Sequence, residues 1–288
     1  MRGAIKIARK YGEINFKKKR YKVITLEHSF HGRTISTLKA TGQKSFHTPS
    51  FSPYPDGFLY VKSIADIYNS IDSESVAVLL ELVQGEGGVE PFNIDEVQKL
   101  AKFLREEGIL LIIDEVQTGV FRTGEMLACN IYQIEPDIIT LAKGLGGGVP
   151  IGAVVTRLKE TLKAGEHGST FGGNYLSTRA GLEVLDILNS LYESGELKET
   201  ISYFGDRLRD IKDRFSHLFF QDVGIGLMRG LRAEEGDIVS KVLKSSMENR
   251  VIVLKAGRNT VRFLPPLTIT KSEIDMGFER FEKAISSI

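Results

Sequence analysis

The chain has 288 residues, 42% hydrophobic and 26% charged, with 38 Lys and Arg against 37 Asp and Glu and a net charge of +1. Charge this balanced excludes a global field for a nucleic-acid backbone or an anionic membrane, and no apolar stretch approaches the ~20 residues that span a bilayer, so neither partner is expected. A single cysteine, Cys129, excludes an intramolecular disulfide, and no Cys and His cluster has zinc spacing; no metal is expected, and a reducing, cytoplasmic setting is the default.

In chain order, Ala4, Ile5, Ile7, Ala8 and Tyr11 show helical spacing from the first residues onward. The basic run Lys17-Lys18-Lys19-Arg20 reads as a solvated loop. From residue 21 to 155, apolar runs at 22–26, 76–80, 109–113 and 138–142 are short, rich in β-branched residues and nearly continuous. Strands of a parallel sheet, buried on both faces, have that pattern. Between the second and third, Val97, Leu100, Ala101 and Leu104 mark one face of a helix that Gly108 stops. Strands alternating with helices predict βαβ units, and so an α/β domain. After about residue 174 long helices take over, with Leu197, Ile201, Phe204, Leu208, Ile211, Phe215 and Leu218 forming one amphipathic stripe. The segment Gly224–Gly230 fails the dinucleotide fingerprint, because Arg229 stands at its third glycine, and reads as a turn. Strand-like runs at 251–254 and 261–264, a Pro265-Pro266 break and a Thr270/Glu273 capping box before a last helix complete the chain. The expected division is a large domain over 1–185 and a smaller α+β domain over 186–288.

Ligands of open parallel sheets bind beyond the carboxyl ends of the strands, which makes the polar residues there the first candidates. They are Glu27 to Arg33 after the first run, Glu81 to Gly88 after the second, Asp114 to Gly119 after the third, and Lys143 to Gly148 after the fourth. Lys143 has two readings: a salt bridge at the sheet edge, or an amine that attacks a carbonyl, which would call for partial burial to lower its pKa. His28 and His31 read as loop hydrogen-bonders rather than metal ligands. Arg262 lies within an apolar strand pattern, where a charge rarely stands unpaired.

Together these segments resemble the class-III (ω-) aminotransferases, over a stretch from about Gly3 to the C-terminus. The most specific match runs from Leu110 to Gly124, with Asp114-Glu115-Val116-Gln117-Thr118-Gly119, and from Glu135 to Gly152, with Leu141-Ala142-Lys143-Gly144. The resemblance implies a fold-type-I transferase that uses pyridoxal 5′-phosphate (PLP). In such an enzyme Lys143 carries PLP as a Schiff base and moves the proton, and Asp114 pairs with the pyridine nitrogen. Gln117 bonds the ring hydroxyl and Phe30 stacks on the ring. Thr170, within His167-Gly168-Ser169-Thr170, reaches the phosphate of the neighbouring subunit's cofactor, which implies a homodimer.

For substrates, the resemblance implies that Arg33 binds a substrate carboxylate, that Arg262 binds the α-carboxylate of glutamate or 2-oxoglutarate, and that Glu86 covers Arg262 when an ω-amine is bound. The reaction it points to is transfer of the δ-amino group of N2-acetylornithine to 2-oxoglutarate. Ornithine, succinylornithine and 4-aminobutyrate are the alternative amines. Leu82 and Tyr175 replace prolines usual in the family. Met1-Arg2 falls within the helix that the family's phosphate-binding turn opens, so the resemblance implies that the N-terminal segment is missing and that the chain alone holds PLP weakly. A remnant that folds or dimerises without turning over is the rival reading.

Overall fold

The computed structural model describes residues 1–17, 19–159 and 161–288; Lys18 of the basic run lies outside them. Along the chain come α1 (Arg2–Asn15), β1 (Lys22–Leu26), α2 (Ile35–Ala40), β2 (Phe58–Val61), α3 (Ile64–Ser70), β3 (Ser75–Leu80), and the short strands β4 (Val83–Gln84) and β5 (Glu90–Pro91). Then follow α4 (Ile94–Glu106), β6 (Leu110–Asp114), α5 (Ala128–Tyr132), β7 (Ile138–Leu141), β8 (Ala153–Thr156), α6 (Tyr175–Glu193), α7 (Glu196–Arg214), β9 (Gln221–Ile225), β10 (Met228–Arg232), α8 (Gly236–Glu248), β11 (Leu254–Ala256), β12 (Thr260–Phe263) and α9 (Lys271–Ile285).

Contacts divide the chain into two units. The first comprises residues 1–82, 92–119 and 127–184, and the second comprises 83–91, 120–126 and 185–288. The first holds a six-stranded sheet in the order β2-β1-β3-β6-β7-β8. All its neighbours are parallel except β8, which runs antiparallel to β7. The four expected apolar runs are β1, β3, β6 and β7. They bury on both faces because helices cover the sheet, with Ala4, Ile7 and Ala8 of α1 packed in one cluster with Ala77, Leu79 and Ile112. Parallel pairing brings the ends of these four strands to one edge, where Glu81, Asp114 and Lys143 follow one another across the sheet.

In the second unit the strands run β11-β12-β10-β9, all antiparallel, with α7, α8 and α9 in the same unit. Three expectations change here. The segment Gly224–Gly230 is not a lone turn but the centre of a β9–β10 hairpin in which Met228 pairs with Ile225. The strand expected at 251–254 starts only at Leu254, because Val251 N–H still bonds Ser246 O and Arg250 N–H bonds Met247 O, closing the end of α8. The amphipathic stripe reaching Leu218 also overshoots: α7 ends at Arg214. Among the described residues no helix is long and apolar enough to cross a membrane.

Candidate active site

Asp114 is the last residue of β6, buried, and its carboxylate accepts three hydrogen bonds. Thr140 Oγ1 donates to Oδ1 at 3.0 Å and Val116 N–H to the same oxygen at 3.1 Å, while His31 Nδ1 lies 2.9 Å from Oδ2. A carboxylate only accepts, so the His31 proton sits on Nδ1. Burial pushes the Asp114 carboxyl up, but the hydrogen bond from His31, its charge, and the donors of Val116 and Thr140 outweigh burial and hold it below the usual carboxylate range. Asp114 is thus an anion kept inside the protein, which suits it to stabilise a positive charge.

His31 is fixed by the loop after β1. Its backbone N–H bonds Thr41 Oγ1 at 2.9 Å, and the preceding N–H, of Phe30, bonds the buried Glu81 carboxylate at 2.9 Å. Phe30 is half-buried and meets Phe46 edge-on at 5.5 Å. Arg33 is exposed, with its guanidinium 5.5 Å from the Phe30 ring and 5.0 Å from that of Phe46. Gln117 belongs to the turn after β6, closed by Gly119 N–H on Glu115 O at 2.9 Å. A side chain at Gly119 would meet that same oxygen at 2.8 Å, so the turn requires glycine. Buried Glu115 anchors the turn by accepting from Thr118 and, at 2.9 Å, from the Cys129 N–H of α5.

Lys143 opens a short 3-10 turn two residues beyond β7, at φ 43°, a left-handed conformation that costs a non-glycine residue energy. Its expected partial burial is not found: Lys143 is exposed at the start of the turn Lys143–Gly146. Thr170 is exposed too, on a stretch followed by Phe171, Tyr175 and Leu176 at 81%, 95% and 73% exposure.

In the second unit, Arg262 sits on β12 with only 6% of its surface exposed, and its Nη1 meets Glu86 Oε1 at 2.8 Å. Glu86 lies between β4 and β5, and this segment is tied down beyond the pair itself. Gly257 N–H bonds Glu86 O at 2.9 Å, Arg232 reaches Glu90 at 2.6 Å and Gly88 O at 3.2 Å, and Arg258 reaches Glu90 at 3.1 Å.

Sequence reasoning missed the partners of Asp114. Thr140 carries no signal of its own, and only the β6–β7 register sets it beside Asp114. His31 is a loop hydrogen-bonder, as its position after the first run implies, but nothing in the local sequence names Asp114, 83 residues away, as its partner. No three His, Cys, Asp or Glu side chains among the described residues are grouped to hold a metal ion.

A strand-end lysine, a buried anionic aspartate and an aromatic ring at one edge of a mostly parallel sheet define a transferase of the fold-type-I class. The class-III aminotransferase family model matches residues 1–285, and the chain belongs to that family, whose enzymes depend on PLP. The chain is 56% identical over 287 residues to the acetylornithine aminotransferase of Wolinella succinogenes, covering 99% of this chain and 73% of that protein. It is 41% identical to the acetylornithine aminotransferase of Caldanaerobacter subterraneus, with coverage of 99% and 73%. Among solved structures, the ornithine aminotransferase of Toxoplasma gondii superposes with a TM-score of 0.91 at 30% identity, covering 99% of this chain and 70% of that one. The N-acetylornithine aminotransferase of Stenotrophomonas maltophilia superposes at 0.79 and 29%, with coverage of 99% and 71%.

The residues of the first unit fit the cofactor. The buried polar atoms that find no hydrogen-bond partner among the described residues include His31 Nε2 and Gln117 Oε1, both beside Asp114 in sequence or by contact and so placed to take a polar ligand there. Asp114 Oδ2 accepts one bond and retains capacity for a second.

Proposed function

We propose that this chain transfers the δ-amino group of N2-acetylornithine to 2-oxoglutarate, giving N-acetylglutamate semialdehyde and glutamate in a ping-pong cycle. The observation that carries the reading is the Asp114 carboxylate, kept anionic by three donors, one strand from the turn that presents Lys143. PLP, when bound, supplies an electron sink that lowers the cost of removing a proton from the carbon bearing the amine. Asp114 holds the proton on the ring nitrogen. Lys143 Nζ is the covalent anchor and then the base that moves the substrate proton. Phe30 supports one face of the ring, and Gln117 takes the ring hydroxyl.

Arg262 binds the α-carboxylate of glutamate or 2-oxoglutarate through the fork geometry of guanidinium. With an ω-amine bound, Glu86 keeps Arg262 neutralised, so a buried cation is not left exposed to a substrate that lacks its anion. Arg33 takes the carboxylate of the amine donor. The reading includes a homodimer in which Thr170 serves the partner's cofactor, and the apolar surface of Phe171, Tyr175 and Leu176 supports it. The test is a panel of amine donors with PLP-saturated protein and 2-oxoglutarate. The expected order of kcat/KM places N2-acetylornithine above ornithine and 4-aminobutyrate; a reversed order would move the proposal to another ω-amine.

A further inference from the structure

The two oxygens of Asp114 are not equivalent. Oδ1 accepts from both Thr140 Oγ1 and the Val116 amide, which uses its two lone pairs, whereas Oδ2 accepts from His31 alone. Thr140 is fully buried, and it is the register partner of Asp114 across the parallel β6–β7 pair, so the geometry of the sheet itself aims the hydroxyl. A β-branched side chain in a strand has a restricted χ1, which keeps the hydroxyl from swinging away.

We propose that Thr140 is a positioning residue for the cofactor's ring nitrogen: with the Val116 amide it saturates Asp114 Oδ1 and leaves Oδ2, steadied by His31, as the oxygen that faces the ring N–H. The inference rests on the PLP reading of the site. Two consequences follow from losing the hydroxyl. The carboxylate gains freedom to rotate about its last torsion, and with one donor fewer it spreads its charge less well. A carboxylate stabilised less as an anion draws the shared proton away from the ring nitrogen. Among the described residues the titratable side chain that faces Asp114 is His31, on the loop after β1.

The test compares wild type with Thr140→Val, which keeps shape and branching but removes the donor, and Thr140→Ser, which restores it. Each is loaded with PLP labelled with 15N in the ring, and the nitrogen signal is followed across pH. Wild type and Thr140→Ser should show a protonated ring nitrogen at neutral pH. In Thr140→Val the signal should move toward that of neutral pyridine, with the proton affinity of the ring nitrogen down by about tenfold, as the loss of one hydrogen bond to a charged group implies. A wild-type signal in Thr140→Val over the whole range overturns the proposal.

If wild type itself shows no protonated ring nitrogen, the cofactor reading of Asp114 fails and takes the proposal with it; whether Thr140 holds the Asp114 carboxylate is tested separately in the cofactor-free protein. A carboxyl held below its ordinary value stabilises the folded state above the unfolded pKa, and that stability is lost as pH falls through the folded pKa. The destabilisation of Thr140→Val in urea should therefore shrink as pH falls from 7 toward 3. A destabilisation that does not change with pH means that the hydroxyl does not stabilise the ionised Asp114 carboxylate, and the proposal is wrong.

Discussion

A guanidinium as buried as that of Arg262 stays in the folded protein only if an anion neutralises it, and Glu86 is that anion here. Exchange of Glu86 for a substrate α-carboxylate then costs little, because one charge-assisted pair replaces another. Arg262→Ala should slow the half-reaction with 2-oxoglutarate by about a hundredfold and the half-reaction with the amine donor far less, the loss expected for a two-bond contact to a charged group. Single-turnover kinetics of each half-reaction checks this; equal losses would mean that Arg262 does not discriminate between them. At Lys143, borohydride reduction of PLP-loaded protein followed by peptide mapping should place the cofactor on that residue and no other lysine. The basis of these assignments was partly visible in the sequence. Arg262 stood out as a charge within an apolar strand, and Lys143 and Asp114 ended apolar runs. His31 and Thr140 did not stand out, since a hydrogen bond across 83 residues or across a strand register has no trace in local pattern.

At the scale of elements, burial separates strands that look alike in sequence. The strands β1, β3, β6 and β7 are covered on both faces, whereas β2 and β8, at the two edges of the sheet, carry short apolar runs as well but are half-exposed. The β9–β10 hairpin was hidden because its glycines serve backbone geometry. Gly224 has φ 95°, and a Cβ there would lie 2.1 Å from Met228 O across the ladder. Gly224→Ala should therefore destabilise the protein by about 2 kcal/mol or more, measured by urea unfolding, since both strain and collision oppose it. The loop before α5 gives a second prediction. Arg122 Nη1 donates to Leu227 O at 3.0 Å and Pro265 O at 2.7 Å, and burial lowers its pKa to about 10, still protonated at neutral pH. Arg122→Ala leaves two carbonyls without their donor and should cost about 2–4 kcal/mol, with Gly224 and its hairpin unchanged in sequence but loosened.

On the scale of the molecule, the chain forms two units whose membership is not linear. Residues 83–91 and 120–126 belong with the C-terminal unit although a strand and a helix of the first unit flank each of them. Hydrophobic period reports which face of an element is buried, not which body buries it, so this excursion was not legible beforehand. It matters for function, because residues 83–91 carry Glu86 to the same unit as Arg262. The exposed Phe171, Tyr175 and Leu176 give the corresponding prediction for assembly: sedimentation should find a dimer, and Tyr175→Glu should shift it toward monomer. The reaction itself is tested most directly by following the nitrogen atom. PLP-saturated protein is given N2-acetylornithine labelled with 15N at the δ-amino group together with 2-oxoglutarate, and the products are separated by mass spectrometry. The account predicts that the label appears in the α-amino group of glutamate, one for each semialdehyde formed; unlabelled glutamate, or label released as ammonia, would contradict it.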